Sequence, residues 1–381
     1  MSKVIISLIL LGLVSVNSNC IEKQNCISEP TISAKSAVVI SADSGEKIFA
    51  KNESEPMPMA STTKIMTALI ALENSDLCNK EVSITDEMVR VEGSSMGLRA
   101  KDVISLYSLC QGMLLCSGND AANSVALAIG GTREKFVDLM NEKARQIGLK
   151  DTCFVTPSGL DSGCHHSTAM DMAILGAYAM ENEKFYDIVS KKSMKVSFIY
   201  PPKTCTYSNH NKLLKMYDGC VGIKTGFTKK AGRCLVSCAE RDGIRLVAVT
   251  LNAPSDWNDH KTIYDYSFSR VEGHVFDDSN FEVELPVVGS DEDKVTVRSV
   301  TSKKTTFKKE DVSKIKRVIE LPRFLYSPLN EKQVVGRIVY YIDDNIVFVN
   351  PIRCTKSVNY KKKDNFLSKI IKNIKSFLGK D

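Results

Sequence analysis

The order of apolar patterns along the 381 residues predicts an α+β fold: an antiparallel sheet with a helical lobe, then a small β-rich domain and a terminal amphipathic helix. Three observations carry this. SAVVISADSGEKIFAKN, residues 36–52, reads as two strands about a Ser44-Gly45 turn. Residues 61–182 hold successive apolar runs at helical spacing. GCVGIKTGF, GRCLVSCAER and IRLVAVTLNA then return to β-formers, with Arg241-Asp242-Gly243 as a hairpin signal. Strands, helices and strands again imply one sheet assembled from both ends of this stretch, residues 30–274.

In chain order, residues 1–19 come first. Lys3 precedes an apolar run from Val4 to Val16 and small polar residues follow, the pattern of a secretory signal peptide with cleavage near Ser18. The run is short for a membrane span. Cys20 invites a lipoprotein reading, against which Asn17, Ser18 and Asn19 weigh as neighbours. A helix is expected from Ser61 onward, through Ile65, Met66, Leu69 and Leu72. Residues 75–100 are polar and mixed. A second helix is expected over Val103–Leu115, broken at Ser117-Gly118-Asn119, with a third beginning near Asp120. Thr132–Gly148 reads as a helix stopped by its glycine, TPSGLDSGCHHST as a loop, and Ala169–Asn182 as a further helix.

Residues 275–357 are short, β-rich segments without motifs. Residues 360–381 place Phe366, Ile370, Ile371, Ile374, Phe377 and Leu378 on one helical face, with lysines opposite. Such a helix suits a membrane interface, where each lysine near an anionic leaflet adds on the order of 1 kcal/mol. The formal charge of +6 is concentrated near this end, which argues against a general nucleic-acid binder. Of twelve cysteines, Cys110, Cys116, Cys234 and Cys238 fall on apolar patterns where a thiol fills core. No cysteine or histidine spacing fits a metal site, so no metal or cofactor is expected.

The chemistry begins at MASTTK. Ser61 and Lys64 are three apart, so a helix starting here stacks both on one face. A serine hydroxyl is a weak nucleophile at neutral pH, whereas a desolvated lysine amine beside it can act as its base. The spacing recurs at Ser44/Lys47, in a turn, and at Ser313/Lys316, in a lysine-rich stretch; only Ser61 opens an apolar helix. Two partners follow: Ser117-Gly118-Asn119 between two helices, and Lys224-Thr225-Gly226, a string that occurs once. Ser-x-Asn recurs at Ser15/Asn17 and Ser357/Asn359 and is weak by itself.

In this order the three motifs form the active-site set of penicillin-binding proteins and class A β-lactamases. PMASTTKIMTALIALE, EGSSMGLRAKDVISLYSLCQGMLLCSGNDAANSVA, TPSGLDSGCHHSTAMDMA and VGIKTGFTKKAGRCLVS closely resemble the D-alanyl-D-alanine carboxypeptidases, the low-molecular-weight penicillin-binding proteins. The resemblance covers roughly residues 30–275. It implies the penicillin-recognising fold and a serine-type carboxypeptidase that removes terminal D-alanine from peptidoglycan stem peptides at the outer face of the cell membrane. β-Lactams would act as inhibitors, and the membrane surface would be met through the C-terminal helix. It further implies Ser61 as nucleophile, Lys64 as base and Ser117 as proton relay. Asn119, Lys224, Thr225, Gly226 and Phe227 would bind substrate, with the Ser61 and Phe227 amides as oxyanion hole.

His165 and His166 are adjacent in a loop, and surface or core hydrogen bonding is the expected role for both. Some relatives carry an arginine after the last core strand; here that stretch reads APSDWNDHK, taken as a loop, and no arginine can be placed there. Two other readings share the nucleophile. A β-lactamase usually adds a Glu-x-x-Leu-Asn string, which does not occur. A penicillin-sensing wall protein would acylate without turnover, against which the intact motifs argue.

Overall fold

A computed structural model describes residues 28–361 together with Ile370 and Ile374. The expected signal peptide, Cys20 and nearly all of the terminal amphipathic helix lie outside the described residues.

The main sheet is antiparallel and has five strands, in the spatial order Lys47–Lys51, Ser36–Ser41, Ile244–Leu251, Gly232–Arg241 and Cys220–Thr228. It is drawn from both ends of the stretch, as the strand–helix–strand order requires. Both faces are buried, and the period-two alternation of strands shows how. In Ser36–Ser41, Val38 and Ile40 face the helical lobe, while Ala37 and Val39 face the other side. The lobe side holds the helices Lys64–Glu73, Leu106–Cys116, Asn119–Gly130, Arg133–Gln146 and Ala169–Met180. The opposite side is covered by the helix Asp256–Arg270, whose Ile263 and Tyr264 are fully buried. Lys64–Glu73 is central: eight of its ten residues are buried, which fits a sequence apolar nearly all round.

Two sequence expectations are corrected. Val103–Ser105 is a short strand paired with Glu81–Ser83, and the helix starts only at Leu106, with Ser105 Oγ accepting from Ser108 N as its N-cap. Val103 and Ile104 are β-branched, a preference that helical periodicity alone passes over. The APSDWNDHK stretch is not a loop. Asp256 opens the fifteen-residue helix, with Asp256 and Asp259 in its first turn, where acidic groups favour the helix dipole.

Beyond Arg270, Val271–Asp277 pairs with Ser302–Lys308, and a six-stranded sheet runs in the order Ile315–Glu320, Val334–Ile342, Asn345–Cys354, Lys294–Arg298, Glu282–Val288, Leu325–Tyr326. These strands enclose a separate core around Phe276, Val297, Ile338 and Ile352.

Candidate active site

The turn before the central helix sets Ser61. Ala60–Thr63 is a tight 3-10 turn, with Ala60 at φ 49°, a conformation costly for a residue with a Cβ. Thr62 and Thr63 donate their hydroxyls back to the carbonyls of Met59 and Ala60, at 2.6 and 2.8 Å. Ser61 follows Ala60 in the turn, and Lys64 begins the α-helix one turn later, so their side chains meet at 2.9 Å.

Lys64 is fully buried. Its Nζ also donates to Asn119 Oδ1 at 2.7 Å and to the Ser158 carbonyl at 2.6 Å. Burial first, and the charge of Lys224 second, push its pKa well below the ordinary lysine range. A neutral amine has two hydrogens and one lone pair. Asn119 and Ser158 can accept both hydrogens, which leaves the lone pair facing the Ser61 hydroxyl. Lys224 is also buried, with its pKa lowered by burial to about 8, so it keeps its proton at neutral pH. Burial thus lowers both amines, and the Lys224 charge presses further on Lys64, the kind of separation that acid–base chemistry uses.

Asn119 does not cap the helix it begins; Gly118 is the N-cap residue. Its side chain bridges Lys64 and the Glu92 carbonyl, the latter at 2.6 Å. Ser117 terminates the preceding helix in the left-handed conformation, φ 65°, and lies nearly buried beneath the cleft. On the opposite wall, Thr225, Gly226 and Phe227 belong to the strand at the sheet edge. Pairing is regular there, with the register shift further back between Cys220 and Gly222, so Gly226 does not mark a bulge. A Cβ on Gly226 would stand 3.1 Å from Ser61 N and 3.0 Å from the Met59 carbonyl. Glycine therefore lets this strand approach the backbone of the Ala60–Thr63 turn. Ser61, Ser117, Thr225, Gly226 and Phe227 share one cleft of about 380 Å³, and Lys64, Asn119 and Lys224 lie buried around it.

Several contributors have no sequence signature. Asp120 accepts from Met96 N, Gly97 N, Leu98 N and Ser95 Oγ, at 2.5–3.1 Å, and so fixes the loop that brings Ser94 to the cleft. His165 is buried: Nδ1 accepts from Val155 N at 3.0 Å, which leaves Nε2–H to donate to Thr63 Oγ1 at 2.8 Å. Burial lowers its pKa to about 4, so it stays neutral and structural, in line with the core role expected for it. His166 instead lies against the Cys164 carbonyl, outside the cleft. His260 is likewise structural, bonded to Ser237 and Thr250 under the sheet. Arg233 was missed altogether. It pairs across the strands with Phe227, bonds Asp256 at 2.9 Å, lies over Trp257 and lines the cleft. Its signal was the arginine in AGRCLVS, on the strand next to Lys-Thr-Gly.

A five-stranded sheet, a helical lobe and a serine–lysine pair at their junction define an enzyme of the penicillin-binding class. Residues 23–255 match the family model described as D-alanyl-D-alanine carboxypeptidase, and residues 274–360 match the penicillin-binding protein 5 C-terminal domain. The chain is 31% identical over 353 residues to the D-alanyl-D-alanine carboxypeptidase DacF of Bacillus subtilis, covering 90% of this chain and 89% of that one. Penicillin-binding protein 5 from Haemophilus influenzae superposes with a TM-score of 0.71 at 30% identity, over 87% of this chain and 99% of that one. The Streptomyces K15 DD-transpeptidase gives 0.61 at 30% identity, over 64% of this chain and all of that one. The chain belongs to the D-alanyl-D-alanine carboxypeptidase family and is an enzyme of that kind.

Proposed function

We propose that this enzyme removes the terminal D-alanine from peptidoglycan stem pentapeptides through an acyl-enzyme on Ser61, and that β-lactams trap it at the same serine. The observation that carries the reading is the environment of Lys64: buried, next to a second lysine, bonded to two neutral acceptors and 2.9 Å from Ser61 Oγ. The Ser61 proton passes to Lys64 Nζ as Oγ attacks the carbonyl between the two D-alanines. The developing oxyanion is received by the amides of Ser61 and Phe227, each donor typically worth about 3 kcal/mol. Ser117 relays the proton to the leaving nitrogen. Lys224 and Thr225 bind the free carboxylate, joined by Arg233, which faces the same cleft. Water, activated by Lys64, then cleaves the ester.

The division into a catalytic domain over residues 30–274 and a β-domain over 275–357 belongs to the same reading, supported by their separate cores. So does export to the extracytoplasmic face of the cell membrane, with residues 360–381 as an interfacial anchor.

The test has two arms. After exposure to penicillin, the peptide containing Ser61 should carry the adduct by mass spectrometry, and Ser61→Ala should carry none. Wild type should release free D-alanine from a stem pentapeptide. An adduct without release would favour a penicillin sensor, and rapid turnover of penicillin a β-lactamase.

A further inference from the structure

The Cys153–His166 segment belongs to none of the three motifs in sequence, yet it supplies what holds the base. Its two ends pair as a single antiparallel bridge, Cys153 N to His166 O at 2.9 Å and His166 N to Cys153 O at 3.1 Å. Between them the chain delivers the Pro157 carbonyl to Thr67 Oγ1 and the Ser158 carbonyl to Lys64 Nζ, each at 2.6 Å. A Cβ on Gly159 would fall 1.9 Å from the Ala60 carbonyl, so this loop lies directly on the nucleophile turn. At its base a turn closes with His165 N bonded to Ser162 O at 2.9 Å, which folds Cys164 back toward Cys153. Their sulfurs stand 2.8 Å apart, both as free thiols, with Cys164 exposed and Cys153 half-buried.

We infer that Cys153 and Cys164 are a redox site that closes to a disulfide and clamps the loop holding Lys64. The oxidant is a small-molecule disulfide of the oxidised-glutathione class, at the extracytoplasmic location proposed above. The Cys164 thiolate attacks one sulfur of that molecule, breaking its S–S bond and expelling one thiolate. The Cys153 thiolate then attacks the Cys164 sulfur and expels the second. Two protein thiols are oxidised, one small disulfide is reduced to two thiols, and the two protons pass to the thiols released. The order follows exposure: Cys164 meets the oxidant, and Cys153, whose pKa burial and the neighbouring sulfur raise to about 11, resolves the mixed disulfide. Closing the base of the loop a second time limits the local opening that would withdraw the Ser158 carbonyl from Lys64.

The clamp's effect on acylation rests on the role proposed for Lys64; the cross-link itself does not. The full-length chain is equilibrated with oxidised glutathione, its remaining thiols are alkylated, and it is digested without reductant. A linked Cys153–Cys164 peptide pair, opened by dithiothreitol, is expected. Oxidation should raise Tm by on the order of 5 °C and speed penicillin acylation roughly threefold or more. Both changes should vanish in Cys153→Ser and Cys164→Ser. Alkylation of both residues after oxidation, glutathione retained on Cys164, or a link that leaves Tm and acylation insensitive to reductant would each overturn the inference. Acylation of Ser61→Ala would sink the reading of the site instead, while the masses of the two cysteine peptides would still judge the cross-link.

Discussion

Two buried ionisable groups, one in each half of the molecule, show opposite solutions to the same problem. In the C-terminal β-domain, Asp278 is 3% exposed and meets donors on every side: Arg317 Nη2 at 2.8 Å, Tyr340 Oη at 2.9 Å and Asn350 Nδ2. In the catalytic half, Lys64 meets a serine hydroxyl, an amide oxygen and a backbone carbonyl, and the strongest charge acting on it is that of another lysine. A buried carboxylate met by a guanidinium, a phenol and an amide ties strands together. A buried amine given neutral acceptors and a cation is pressed to release its proton. The first arrangement is architecture and the second is chemistry, and composition alone does not separate them.

The comparison can be broken at several points. The largest effect is expected from Lys64→Ala, which should slow penicillin acylation by about 10³-fold or more. Lys64→Arg should not rescue it, because a guanidinium keeps its proton. Both are read by stopped-flow or gel-based acylation, with circular dichroism to confirm folding. Asp278→Ala should do the reverse. It leaves the buried Tyr340 hydroxyl and Asn350 amide without their acceptor and should cost about 3 kcal/mol of stability in thermal or urea melts, with the acylation rate of folded protein unchanged. A smaller effect comes from pH. The Lys224 cation is lost above its pKa of about 8, so kcat/KM for a pentapeptide should fall about tenfold per unit beyond that pH. A profile flat to pH 10 would remove Lys224 from carboxylate binding. The smallest is Arg233→Ala, which should raise KM about five- to tenfold with little change in kcat, provided its guanidinium meets the substrate carboxylate.

How much of this was legible beforehand follows the same division. Ser61 and Lys64 were readable because helical spacing converts a three-residue interval into a contact. Ser117, Asn119 and Lys224–Phe227 were readable as motifs, and the β-rich end as texture. What stayed hidden were groups acting through the backbone or across long intervals. The Ser158 and Glu92 carbonyls carry no side-chain signature. Asp120 stands in the sequence only near a helix start, yet it fixes a loop more than twenty residues upstream. Arg233 reaches the cleft only because its strand lies beside the edge strand. The helix at Asp256 was hidden by polar residues whose burial depends on the sheet they cover.

The strand Ser36–Ser41 lies between a neighbour that follows it directly and one, Ile244–Leu251, from the far end of the catalytic sequence. The Ala60–Thr63 turn leans on Gly226. A polypeptide emerging amino end first therefore carries its serine and lysine long before it can dehydrate the amine, and during that passage the pair is inert. On the mechanism proposed above, reactivity toward penicillin is a clock: it starts only when the late strands have docked, so labelling during refolding of the denatured chain would time the completion of folding.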